Sequence, residues 1–387
     1  MIRLAWRYLW AEPLTAALNL LLLSLGLAAI GFVLLVSEQI EAGVRRDLAG
    51  IDLVVGAKGS PMQIMLAGVF HLDVPTGNIP LAAVDALRAN RLVERAVPVS
   101  LGDTLQGFRI VGTTADYLAL YPTPLASGRV WAQPMEALLG AEAARATGLK
   151  PGDRFVGSHG LGKQGEAHEH HDYTVVGVLA ARGGVIDRLV LTDLASVWAV
   201  HEGVKNDEVT MALVRYRSPL AAISLPRWVN AQPGLQAAAP ALETARLLTL
   251  VGAGTEVLRG FGLVLLAAAG LSVFVALLHS VRARAPDLAM LRMLGAPPLR
   301  VAVLVSLEAV SLAAMASVIG LALSHALVAV LGTVLAAQQS LRISGAWLSP
   351  WELAIPLIAL GLALLAAAWP TWRAFRLDVT TLLQAPR

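Results

Sequence analysis

The chain has 387 residues, 56% hydrophobic and 15% charged, with a mean hydropathy of +0.66. That balance excludes an ordinary soluble globule and indicates an integral membrane protein. The absence of cysteine excludes disulfides, thiolate metal ligands and cysteine nucleophiles, and a net charge of +3 with basic residues gathered beside apolar runs gives no nucleic-acid footprint.

Residues 1–12 are expected to form an amphipathic interfacial helix in contact with membrane lipids. Arg3 and Arg7 share a face by their spacing of four, and Trp6, Leu9 and Trp10 supply the apolar side. Pro13 separates this helix from a charge-free stretch at 14–36. Further apolar stretches lie at 260–281, 301–336 and 353–372. Each reaches the roughly 20 residues that cross about 30 Å of hydrocarbon as a helix. Only helices satisfy backbone groups in such runs. Val36-Ser37-Glu38 has no small-x-small cleavage pattern, so the first run is expected to remain as an anchor. The predicted spans are 14–37, 256–281, 300–336 and 353–372, arranged one plus three.

Basic residues near span ends set orientation. Arg3 and Arg7 precede the first span, Arg282, Arg284, Arg292 and Arg300 lie between the second and third, and Arg373, Arg376 and Arg387 follow the fourth. Both termini, the loop 282–299 and the tail 373–387 are therefore expected in the cytoplasm. Residues 38–255 and the short loop 337–352 fall outside. Arg45 and Arg46 argue the other way and are outvoted.

The outer block alternates strand and helix patterns. Asp52-Leu53-Val54-Val55, Phe108-Arg109-Ile110-Val111, Tyr173-Thr174-Val175-Val176 and Arg188-Leu189-Val190-Leu191 read as strands. Residues 135–148 read as a helix stopped by Gly148. The expectation is a two-lobed α+β domain. His71, Asp73 and Asn78 surround the Pro75-Thr76-Gly77 turn, where turn chemistry accounts for them.

Residues 157–164, GSHGLGKQ, nearly fit a phosphate-binding loop. Gln164 stands where a magnesium-ligating hydroxyl is needed and no helix pattern follows, so the match is rejected. ATP and magnesium must then sit on another chain. His159, His168, His170 and His171, with Glu166, Glu169 and Asp172, make a candidate zinc or copper site at 157–172. Their spacing matches no zinc signature, and a solvated or pH-sensitive polar loop is the other reading. No spacing supplies a catalytic acid or base beside a metal, so no enzyme activity is expected.

In the loop 282–299, Pro286 suits a helix start and Asp287 its positive end. Leu288, Leu291 and Leu294 form an apolar stripe, and Gly295 then Pro297-Pro298 end the helix. Glu308 lies about two turns into the third span, where a structural contact is favoured over a proton path. His279 and His325 are assigned packing or interfacial roles.

The stretch Arg282-x-Arg284-x-x-Asp287-Leu288-Ala289-Met290-Leu291-Arg292-Met293-Leu294-Gly295-Ala296 resembles the loop of FtsX-like permeases of the MacB and LolCDE class. Pro370-Thr371-Trp372-Arg373-Ala374-Phe375-Arg376-Leu377-Asp378 is similar to the family's closing stretch. Ser127-Gly128-Arg129, Glu136-x-Leu138-Leu139-Gly140 and Gly148-Leu149-Lys150-Pro151-Gly152-Asp153 resemble landmarks of its MacB-like periplasmic core. Many members carry Glu at the position of Asp287, and Ala285-Pro286 interrupts a helix that many continue.

The resemblance implies a non-catalytic permease subunit of an ABC transporter in the bacterial inner membrane. A separate cytoplasmic ATPase pair would push the coupling helix and move the periplasmic domain, which is mechanotransmission. It implies that Arg284, Asp287, Leu288, Leu291, Arg292, Gly295 and Ala296 contact or shape the ATPase interface. A second permease copy or a paralogue completes the assembly, and a periplasmic carrier or adaptor protein is a further expected partner. Permeases with such a histidine-rich insertion resemble those linked to zinc homeostasis; export of an envelope substrate is the other role. The alternative is a signalling or scaffold protein controlling a cell-wall hydrolase, but such relatives have a much smaller outer domain.

Overall fold

The computed structural model describes residues 1–158, 167–200, 207–337 and 343–376. The chain divides into two units, residues 1–40 with 250–387, and residues 41–249. In chain order the helices are α1 (Ile2–Leu9), α2 (Pro13–Leu48), α3 (Pro61–Met65), α4 (Leu81–Ala89), α5 (Tyr117–Leu120) and α6 (Ala141–Thr147). They continue as α7 (Leu194–Val200), α8 (Ala221–Asn230), α9 (Pro240–Ala283), α10 (Ala285–Met293), α11 (Pro298–Ala337) and α12 (Ala354–Phe375).

Four helical stretches, Pro13–Leu48, Pro240–Ala283, Pro298–Leu335 and Pro350–Phe375, are long and apolar enough to cross a membrane. Two of them outrun their apolar cores. Helix α2 continues through Arg45 and Arg46 to Leu48, and α9 starts at Pro240, well before the apolar run. Nothing in those polar flanks breaks a helix, so backbone bonding propagates past the hydrophobic stretch.

The core of the first unit is built from Leu23, Leu27, Ala269, Val273, Ala309, Ala313, Ala359 and Ala363, among others. The alanines among them let helices approach closely. Helix α1 joins this core. Ala5 is fully buried and Leu4, Tyr8 and Leu9 pack against the cluster. Trp6 and Trp10 are exposed and associate with each other at 6.1 Å between centroids. Positions 4, 5, 8 and 9 share one helical face, and it is this narrower stripe that docks.

The second unit is built on strands β1 (Leu53–Ala57), β2 (Ile79–Pro80), β3 (Val93–Leu105), β4 (Phe108–Thr113), β5 (Leu125–Gly128) and β6 (Glu136–Leu139). They are followed by β7 (Arg154–Ser158), β8 (Ala167–Leu179), β9 (Leu189–Asp193), β10 (Glu208–Val209), β11 (Met211–Tyr216) and β12 (Leu235–Ala238). The large sheet runs β12-β1-β11-β3-β4-β9-β6-β8-β5, with β7 pairing β3 and β8. It is mixed: β4–β9 and β6–β8 are parallel and the other pairs antiparallel. Its apolar residues form three clusters, centred on Val99 and Leu191, on Val55 and Leu225, and on Ile110 and Tyr173.

The expected helix over 135–148 is corrected. Glu136–Leu139 is a buried strand between β9 and β8, and only Ala141–Thr147 is helical. A short apolar run does not distinguish a buried strand from a buried helix segment. Gly140, lying against the backbone of Ile186 and Asp187, marks the change. Gly148 does stop the helix, in the left-handed region at φ +74.

Candidate coupling site

Helix α10 is short and defined at both ends. Arg284 is its N-cap, Pro286 falls in the first turn, and Asp287 sits exposed at the positive end. At the other end the amide of Gly295 donates to Arg292 O (3.0 Å) and that of Ala296 to Leu291 O (3.1 Å). With Gly295 at φ +92, this is a Schellman closure. Arg292 and Ala296 are half-buried.

The expected Leu288-Leu291-Leu294 stripe splits in two. Leu288, 2% exposed, and half-buried Leu291 pack into the core of their unit. Leu294 is 85% exposed, together with Met290 at 54% and Met293 at 53%. Three-residue spacing turns each successive leucine about 60° back around the helix, so Leu294, whose amide still donates to Met290 O at 3.0 Å, falls off the buried face.

Arg284 faces inward. One guanidinium nitrogen donates to Glu308 Oε1 of α11 at 3.2 Å, and the other donates to the Tyr8 carbonyl of α1 at 2.7 Å. The guanidinium also lies over the Tyr8 ring, 4.4 Å from its centroid. Glu308 is buried at 7% exposure, and Arg284 is half-buried at 16%. Beside them lies a cavity of about 50 Å³, whose lining includes Tyr8, Glu12, Asn19, Ser280, Arg284 and Glu308. A space of that size and polarity holds water. The sequence reading named Arg284 and Glu308 separately and did not join them. The usable signal was a basic residue before one helix and a lone acid about three turns into the next.

Other expected site residues fall elsewhere. His159 lies outside the described residues, and so do the side chains of His168, His170 and His171, whose backbone runs in strand β8. Among the described residues no group of three His, Cys, Asp or Glu side chains could hold a metal. His279 is exposed. His325 faces Gly345 O through Nδ1 at 2.7 Å and Glu352 Oε2 through Nε2 at 3.2 Å. In the outer unit His71 is buried, left-handed at φ 55, with Nε2 3.5 Å from the Tyr117 hydroxyl. Burial first, and Arg109 second, push its imidazole from 6.5 down to about 3. Arg109 itself is buried on β4, and sequence reasoning passed over it as an ordinary strand residue.

Residues 16–226 match the family model of the MacB-like periplasmic core domain, and residues 259–379 match that of the FtsX-like permease C-terminal region. Two solved structures are similar at low identity. The periplasmic region of MacB from Actinobacillus actinomycetemcomitans is 11% identical, covering 52% of this chain and 95% of that one, with a TM-score of 0.37. The extracellular domain of the noncanonic ABC-type transporter YknZ from Gram-positive bacteria is 11% identical, covering 48% and 98%, with a TM-score of 0.32. No curated protein matches the chain.

Proposed function

The chain belongs to the FtsX-like permeases with a MacB-like periplasmic core domain, and from that premise we propose that it couples a cytoplasmic ATPase to motion of its outer domain. The family is a membrane permease component of ABC transporters, generally non-catalytic, that partners with cytoplasmic ABC ATPases. In our reading α2, α9, α11 and α12 span the bacterial inner membrane one plus three. Both termini and α10 face the cytoplasm, and a two-lobed domain lies in the periplasm. The permease works as a homodimer or with a paralogue, beside an ATPase pair that binds ATP and magnesium and a periplasmic carrier or adaptor.

The observation that carries this reading is the split of α10. Its inner face, Leu288 and Ala289, is buried, while Met290, Met293 and Leu294 stand exposed beside Asp287. A short capped helix with a free apolar face suits an ATPase groove. Leu294→Glu should abolish copurification with the ATPase subunit while leaving the unfolding temperature of the permease unchanged. Undiminished copurification would refute this docking face.

Zinc or copper binding at His159, His168, His170 and His171 is supported by their ligand chemistry alone. It would link the permease to metal homeostasis rather than to export of an envelope substrate. A chelator-competition titration of the full chain against the His168, His170, His171→Ala variant tests it, and equal binding by both would remove the metal reading. The scaffold alternative is disfavoured by the size of the outer unit, residues 41–249.

A further inference from the structure

We propose that Arg284 is a positioning residue that makes the N-terminal helix α1 part of the moving coupling apparatus, an inference that rests on the coupling role of α10. Arg284 occupies the junction between the end of α9 at Ala283 and the start of α10 at Ala285. A displacement of α10 therefore acts on it directly. Its side chain does not point toward a docking partner. It binds two other elements of its own unit, α1 through the Tyr8 carbonyl and ring, and α11 through Glu308.

The chemistry suits a firm tie. Tyr8 lies in the last turn of α1, where the helix end is negative, and its carbonyl accepts the Ala11 amide at 3.2 Å with a second lone pair left for Arg284. A planar guanidinium satisfies such a carbonyl and a carboxylate together, which a lysine ammonium does with less geometric control. Burial of Glu308 makes separating the two charges costly. Helix α1 is already held by Ala5, Leu4 and Leu9, so a pull at Tyr8 moves a packed element rather than a loose tail. The adjoining cavity leaves one flank of the pair open, giving the guanidinium room to shift with α10.

The native chain has no cysteine, so spin labels can be placed without background. Arg7 on α1 and Pro297, directly after the cap of α10, are both exposed, and neither belongs to the docking face. Labels at Arg7→Cys and Pro297→Cys in the full chain, bound to its ATPase, should give one narrow distance that persists with and without ATP. Adding Arg284→Ala should broaden that distance, most in the ATP state, and Glu308→Gln should do so partially. Arg284→Lys should fall between. An equally narrow, nucleotide-independent distance in Arg284→Ala would overturn the proposal. If Arg284→Ala does not fold, Glu308→Gln carries the same comparison, and an unchanged distance there overturns it. If no ATPase binds, the coupling reading fails, while the nucleotide-free distances still show whether Arg284 holds α1 to α10.

Discussion

Asn19 of α2 accepts a hydrogen bond from the Ser272 hydroxyl of α9 at 2.5 Å, and Asn19 is 4% exposed. Both helices are otherwise apolar at this level, and the bond joins them beside the cavity that Asn19 lines. Interhelical polar pairs in bilayers nonetheless couple weakly, because each group finds other partners when the helices separate. A double-mutant cycle of Asn19→Ala and Ser272→Ala, read by denaturation in mixed micelles, should give a coupling of about 0.6 kcal/mol and no more than about 2. A larger value would mean that Asn19 has no substitute partner near the cavity it lines.

Arg129 grips Glu136 with both guanidinium nitrogens, one at 2.7 Å, and the Glu136 carboxylate also accepts the Ala132 amide at 2.8 Å. The pair joins the segment after β5 to the start of β6. Arg129 is the main reason the Glu136 carboxyl falls from 4.5 to about 2. The folded value lies below the unfolded one, so this stabilisation is complete above pH 4.5 and disappears as pH falls toward 2. Glu136→Gln should destabilise the chain by about 1–3 kcal/mol at neutral pH. It should also flatten the acid limb of the stability curve. A variant that unfolds along the wild-type curve below pH 4.5 would show that Glu136 is not the group titrating there.

His71 makes a second acid-sensitive point at a higher pH. Its buried ring stays neutral to about pH 3, whereas in the unfolded chain it protonates near 6.5. Between those values the unfolded state binds the extra proton, so stability drops as pH falls from 6.5 toward 3. Arg109 adds to this by repelling a second positive charge, and the Tyr117 hydroxyl lies 3.5 Å from Nε2. Asn tolerates the left-handed backbone at this position. His71→Asn should therefore cost little at pH 7 and lose less stability than wild type on acidification to pH 4.5. The comparison is made by thermal unfolding, and parallel losses in the two proteins would refute it.

The membrane class was legible because long apolar runs have few physical outcomes. The family landmarks were legible too, and the fold supplies their reasons. Gly128 sits at φ +75 against Val176, Arg129 and Glu136 are one ion pair, and Asp153 Oδ2 accepts the Lys150 amide at 2.8 Å to close its turn. What escaped the sequence was partnership and facing. The α1 face that docks is set by Ala5, a residue with little weight in any hydrophobic pattern. Leu294 continues the stripe on paper, but three-residue spacing drifts around the helix and carries it off the buried face. The Arg284–Glu308 pair spans a helical hairpin, and no local periodicity encodes such a contact.

Two glycines that flank α6 separate space from backbone strain. Gly140 has an ordinary extended backbone, yet an added Cβ would overlap the Ile186 carbonyl and the Asp187 backbone. Gly148 has nothing within 4 Å of its Cβ position, but holds φ +74. At Gly148 the cost of a side chain is conformational, about 1–2 kcal/mol for alanine and less for asparagine. At Gly140 the turn backbone at Ile186 and Asp187, just before β9, must move, and overpacking of that kind costs at least about 1–3 kcal/mol. Gly140→Ala should lower the unfolding temperature more than Gly148→Ala, and Gly148→Asn should restore part of the smaller loss. If Gly140→Ala proves the milder change, the backbone at 186–187 yields more readily than its hydrogen bonds suggest: the Gly140 amide is bonded to Leu189 O at 2.8 Å, and Asp187 accepts the Gly183 amide at the same distance.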